Sequence, residues 1–172
     1  MPFWCRVAAH ATTDEGIWRA VTAGVRTIEH GTGVSEATLG LMKERGTFLC
    51  PTLAATEAVT RYGGWKAGEP DPPAIVESKA FFTRVLKSGV TIGYGSDVGV
   101  FAHGAEAREI ELMVEYGMKS VDALRAATAT AAEVLGRAKE LGRIAPGFAA
   151  DLVAVRGDPL ADVSHLRAPA LV

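Results

Sequence analysis

Cysteine is almost absent from this chain: Cys5 and Cys50 are the only two in 172 residues, and they lack CxxC spacing. That scarcity excludes a disulfide-built scaffold, and two isolated thiols fit a reducing, cytoplasmic setting with no bond between them. An excess of charge of one sign is also missing. The 18 basic residues against 20 acidic ones leave a formal −2, so neither nucleic acid nor a membrane surface is an expected partner. No apolar run approaches the roughly 20 residues of a membrane span. The opening Met1-Pro2-Phe3-Trp4-Cys5-Arg6 is not a basic region followed by a long apolar stretch, so no secretory leader is expected. Internal repeats and low-complexity tracts are lacking too. What remains is a chain with 48% apolar residues, long enough for one well-buried core.

From Phe3 to about Leu135, β and α signals alternate in the manner of parallel βαβ units. A first strand ends at His10. Asp14 is placed to cap a helix carrying Ile17, Ala20 and Val21 and stopped by Gly24. Residues 25–29 form the second strand. Ser35 caps the next helix, which buries Leu39 and Met42, with Glu36 in its first turn, Lys43 and Arg45 in its last, and Gly46 beyond.

Residues 47–50 read as a third strand. Residues 53–73, with Gly63-Gly64, Gly68, Pro70, Pro72 and Pro73, read as an irregular lid or binding loop. A helix over 74–88 with Ile75, Phe82, Val85 and Leu86 inward, stopped by Gly89, leads to a fourth strand over 90–94. Three helices follow, over about 105–116, over 121–127 after a Ser120 cap, and over 130–135.

The last section differs. Residues 142–144 and 150–155 read as two strands around a Pro146-Gly147 turn, so the boundary falls between units 1–141 and 142–172. Four βα units and a β tail make an α/β protein. A closed eight-stranded barrel takes about 250 residues, so this is either a small open sheet or the later half of a barrel.

Three of these strands end in a metal-ligand type of residue: VAAH at His10, TIEH at His30 and TIGYGSD at Asp97. Taken singly, each has an ordinary explanation. A histidine at a strand end can be a core-edge residue, and Ser96-Asp97 before a glycine-containing loop is turn chemistry. Taken together they converge, because the carboxyl ends of parallel strands form one rim where ligands bind. Imidazole and carboxylate side by side suit zinc and related divalent ions, with manganese, cobalt and iron also compatible. Strand alternation points Glu29 away from the ligand side. His103-Gly104 is open to two readings, a substrate contact or a residue at the start of the next helix. His165 is read as solvated and Cys50 as a buried small hydrophobe.

The segments VAAHATT, AGVRTIEHGT, GTFLCPTL, GVTIGYGSDVG, HGAEAREIELMVEYG, DALRAATATAAEVLG, GRIAPGFAADLVAV and GDPL occur in that order over nearly the whole chain. In them the sequence resembles the metal-dependent amidohydrolase superfamily, its imidazolonepropionase-like and Xaa-Pro dipeptidase branch above all. The resemblance implies the later half of a (β/α)8 TIM-type barrel, strands equivalent to the fifth to eighth, followed by strands of a small composite sandwich. It makes His10 and His30 the fifth- and sixth-strand metal ligands. Asp97 becomes the eighth-strand aspartate that touches the metal and shuttles the proton of the attacking water. His103 lies where a loop covers the active-site mouth.

The implied activity is hydrolysis of a non-aromatic C–N bond in a small amide, cyclic amide or dipeptide, by water activated on one or two divalent ions, zinc first among them. Complete members of that superfamily also carry an HxH pair on the first strand and a carboxylated lysine on the fourth, and neither occurs here. The chain therefore reads as a fragment of such an enzyme. The alternative is a non-catalytic remnant or subunit that needs a partner supplying those ligands, and a weaker one is a binding module built on residues 53–73. Open edges at the strands near His10 and Tyr94 would favour a homo-oligomer or pairing with a complementary half-barrel.

Overall fold

In the computed structural model, residues 5–172 are described; residues 1–4, on which part of the reading of no leader rests, lie outside them. The first strand, β1 (Ala8–Thr13), runs through His10 rather than ending there, since Ala11-Thr12-Thr13 continue the extended chain. Thr13 then caps α1 (Asp14–Thr22), its hydroxyl accepting from the Gly16 amide at 3.3 Å. Asp14, expected as the cap, reaches instead to the start of the second helix and accepts the Ser35 amide at 2.8 Å. That bond holds the Asp14 carboxyl below its ordinary range.

Strand β2 (Thr27–Gly33) also outruns the expected 25–29. Helix α2 (Glu36–Arg45) carries the expected signals: Ser35 accepts from the Thr38 amide, and Gly46 closes the helix in left-handed backbone. Strand β3 (Phe48–Cys50) follows, pairing parallel to β2, which pairs parallel to β1.

Residues 53–73 correct the loop expectation. Leu53–Tyr62 is a helix, α3, and only about ten residues after it are irregular. Its sequence, LAATEAVTRY, is rich in good helix formers, but no side chain beside its start caps it. Helix α4 (Pro73–Ser88) begins on a proline, which suits a first-turn position that needs no amide donor, and ends at Gly89 in left-handed backbone. The expected fourth strand over 90–94 is reduced to one parallel bridge, Leu49 to Ile92, with the Leu49 amide on Thr91 O and the Gly93 amide on Leu49 O. Glycines at 93 and 95 weaken a strand, yet Gly95 is required: a Cβ there would stand 2.9 Å from the Cys50 sulfur.

Beyond it lie α5 (Ala107–Glu115) and α6 (Ser120–Arg125), which runs through a π turn (Ala126–Thr130) into α7 (Ala131–Val134). Ser120 is the first residue of α6 rather than its cap.

The tail departs further from expectation. Residues 142–144 form no strand, and β4 (Ala154–Val155) pairs antiparallel with β5 (Pro169–Leu171), not with the segment before the Pro146-Gly147 turn. Ile144 is 90% exposed, as expected of an apolar strand candidate with no sheet to join. A 3-10 turn (Val163–Arg167) docks on α5: Val163 is buried in the main core and Arg167 pairs with Glu111. His165 is half-buried with its ring over Gly157, not solvated as expected.

The core lies between one face of the sheet and its helices. Ile28 and Leu49 meet Ile17 and Val21 of α1, Leu39 and Met42 of α2, and Phe82 and Val85 of α4. Each such side chain contributes about 2 kcal/mol by leaving water. Leu86, expected inward, is only partly buried. The helices cover that one face, so the residues at the strand ends are held from behind by a rigid layer.

Candidate metal centre

Register across the sheet sets the first part of the site. His10 on β1, Glu29 on β2 and Cys50 on β3 are aligned neighbours, so they share one face. This corrects the expectation that Glu29 turns from the ligand side. That expectation assumed regular alternation, but His30 has φ 70, and the pleat breaks there. The break brings the His30 ring back over the His10 ring, edge to face, with centroids 4.3 Å apart.

Among the described residues, the non-glycine positions at positive φ are His30, Thr52 and Asp97. His30 follows the last β2 residue paired with β3, Thr52 lies just after β3, and Asp97 just after the 90–94 segment. Left-handed backbone costs a side-chain-bearing residue about 1–3 kcal/mol, and such strain concentrates at working sites. Gly31, next to His30, is confined too: with φ 69, a Cβ there would lie 2.5 Å from a Leu49 methyl.

Hydrogen bonding assigns the His30 tautomer. The Thr52 hydroxyl has one proton, and the Pro51 carbonyl 2.8 Å away is placed to accept it. With the proton there, the same oxygen accepts from His30 Nδ1–H across the 2.6 Å contact. That leaves the Nε2 lone pair of His30 free, the form a metal-binding imidazole needs. Burial, and then the neighbouring His10, hold the His30 pKa below its ordinary value, while Asp97 and Glu29 pull it upward.

The structure thus brings His10 and His30 into contact and Asp97 within electrostatic reach of His30. It does not draw the three into a closed cage: among the described residues, no group of three or more His, Cys, Asp or Glu side chains has metal-site geometry. His103 stands apart. Its ring is 81% exposed and its contact is with Glu106 at 3.4 Å, just before α5. As expected, Cys50 is buried; burial first, then Glu29, pushes its thiol well above the ordinary range, so it is no reactive nucleophile. Neither cysteine is bonded.

The residues fit a divalent ion in their chemistry, two adjacent imidazoles with one free lone pair secured, and in their place at the rim. Thr52 and Glu29 were not legible as parts of this site. Thr52 left a faint signal, a hydroxyl at the end of an apolar strand after proline.

Residues 5–170 match the amidohydrolase family. The chain belongs to the amidohydrolase family. It is 32% identical to the ochratoxinase of Aspergillus niger over 96% of this chain and 35% of that protein. A protein of Mycobacterium tuberculosis is 34% identical over 97% of this chain and 46% of its own length.

Among solved structures, a Xaa-Pro dipeptidase with methionine in its active site superposes with TM-score 0.87 and 36% identity, over 95% of this chain and 42% of that one. A prolidase complexed with N-methylphosphonate-L-proline gives TM-score 0.81 and 37% identity, over 95% and 41%. This amidohydrolase chain therefore spans less than half the length of the relatives it matches. No helix among its described residues is long and apolar enough to cross a membrane.

Proposed function

We propose that this chain supplies the later-strand half of a metal-dependent amidohydrolase site that cleaves a C–N bond in a small amide, cyclic amide or dipeptide. The observation that carries it is the His10–His30 contact at 4.3 Å, with Asp97 within electrostatic reach of His30 and strained backbone at His30 and Asp97. His10 and His30 would hold the ion, zinc by the chemistry of the donors, with Asp97 as third donor. When bound, a divalent ion lowers the pKa of water toward about 7 and polarises the scissile carbonyl. Asp97 takes the proton of the attacking water and returns it to the leaving nitrogen. His30 keeps its free nitrogen turned to the site because Thr52 occupies the other. His103, in the exposed loop before α5, meets the part of the substrate that reaches the mouth.

The half-barrel reading is supported by sequential parallel neighbours, β1-β2-β3 and then 90–94, and by relatives more than twice as long. Units 1–141 and 142–172 follow from it, with exposed Leu152, Val153 and Leu171 in the second as apolar surface that further sandwich strands would cover. The β1 edge and the His10 face then pair with a complementary half or a second copy. Free thiols at Cys5 and Cys50 are consistent with a cytoplasmic setting.

A second reading has its own observation. Because the three donors do not close a cage, the chain acts only when assembled with ligands from elsewhere. The Xaa-Pro dipeptidase and prolidase relatives point to a dipeptide as substrate class. Hydrolysis of a panel of Xaa-Pro dipeptides, small amides and cyclic amides, with zinc added, tests the proposal. Turnover by the wild type that His30→Ala and Asp97→Asn both abolish supports it. Turnover unaffected by either variant overturns the site assignment, and zinc binding without turnover supports the assembly reading.

A further inference from the structure

Glu109 lies on α5 with its side chain sealed from water, far along the chain from the strand ends. A carboxyl group in such a place needs a reason, since burial without partners costs several kcal/mol. Its partners are the first two amides of α3: Leu53 N–H donates to Oε1 at 3.0 Å and Ala54 N–H to Oε2 at 2.6 Å. These are donors that a helix start leaves without intrahelical acceptors. The residue at the usual capping position, Thr52, cannot serve them. It is in left-handed backbone, makes no side-chain cap bond, and spends its hydroxyl on Pro51 and His30.

Two tasks that one residue at a helix start normally combines are thus divided. Glu109 takes over the capping, which frees the Thr52 hydroxyl to face β2. Both carboxylate oxygens grip consecutive amides, so the position of the first turn of α3, and with it the strained Thr52 backbone, is set from α5.

We infer that Glu109 is a positioning residue for the candidate site, fixing through the α3 start and Thr52 the tautomer and orientation of the His30 ring. It touches none of the candidate ligands. Any motion of α5 against the sheet would reach His30 by this route, because the connections are direct hydrogen bonds and one peptide link. The inference concerns the histidine whatever it binds, so it stands or falls separately from the metal proposal.

Imidazole nitrogen NMR of the metal-free protein reads the ring directly. The wild type is expected to show His30 as the Nδ1–H tautomer with a single conformation. Thr52→Val should lose that pattern and Thr52→Ser should keep it. Glu109→Gln keeps the shape but presents an amide N–H₂ to one of the two donors, and Glu109→Asp withdraws the carboxylate by one methylene. A folded protein of either kind should show a mixed or Nε2–H tautomer at His30, with His165 and His103 signals unmoved. A wild-type Nε2–H tautomer, or wild-type His30 signals in a folded Glu109 variant, overturns the inference. Failure of both Glu109 variants to fold, with Thr52→Val folded, also overturns it in favour of a purely structural cap.

Discussion

The His30 imidazole meets the Thr52 hydroxyl at 2.6 Å, and both residues hold left-handed backbone, with φ 70 and φ 50. A pair of strained residues bonded to each other, one within β2 and one just after β3, indicates that ring orientation is favoured there over local stability. The consequences of that trade can be measured.

Asp97 is the simplest place to release strain, because it is exposed and has φ 56. Asp97→Gly should raise the stability of the metal-free protein by about 1 kcal/mol in urea denaturation, while removing the proposed proton carrier. A loss of stability instead would mean that the backbone at this position is not strained.

Gly31 should tolerate no side chain. Gly31→Ala places a Cβ against Leu49 in left-handed backbone, and a cost of about 2 kcal/mol is expected from crowding and strain combined. A midpoint in urea equal to that of the wild type would contradict the packing described between β2 and β3.

Arg108 joins three carboxylates. It bonds Glu57 on α3 at 2.8 and 2.9 Å, Glu111 at 3.0 Å and Glu115 at 2.6 Å, and Glu111 is shared with Arg167 of the tail. Arg108→Ala leaves two buried carboxylates short of partners and should cost about 3 kcal/mol. Arg108→Lys should recover only part, since one ammonium cannot reproduce the fork.

Acid should act on the same cluster. Burial alone would raise the Glu57 carboxyl, but the Arg108 bonds outweigh it and hold it below its ordinary 4.5. Arg167, then Arg108 against burial, holds Glu111 below 4.5 as well. Groups depressed on folding stabilise the protein above the unfolded value and stop doing so as pH falls through the folded one. Thermal midpoints should therefore drop steeply below about pH 4.5, and less steeply in Arg108→Ala. Glu109 runs the other way: burial, against two amide bonds, pushes it up to about 7. Its contribution is fully present below 4.5 and is lost as pH rises through about 7, so Glu109→Gln should flatten the stability profile in that window. An unchanged profile would contradict the burial of an ionisable carboxyl there.

Much of the fold was legible from local signals. Ser35 with Glu36 and Gly46 bounded α2, Gly89 ended α4, and the apolar stripes of both named most of their buried faces. The site was legible in part: His10 and His30 lie on neighbouring parallel strands, but it is the positive φ at His30 that turns its ring onto that of His10.

What was hidden depends on distant partners. α3 read as loop because its cap is Glu109, more than fifty residues away, and no local residue announces the helix start. The charged Glu109 within the buried stretch of α5 was the available signal. Glu29 was misplaced because alternation fails at a residue with positive φ, which a histidine in sequence does not disclose. Residues 142–144 look like a strand and pair with no strand among the described residues, since strand identity is completed by a neighbour.

The account rests on His10 and His30 holding a divalent ion, and titration of metal-free protein with zinc, followed by calorimetry and by mass spectrometry of the native complex, tests this most directly. It predicts one zinc per chain, with affinity lost in His30→Ala and in His10→Ala and weakened in Thr52→Val. No zinc bound, or zinc bound equally by the wild type and both histidine variants, would contradict it.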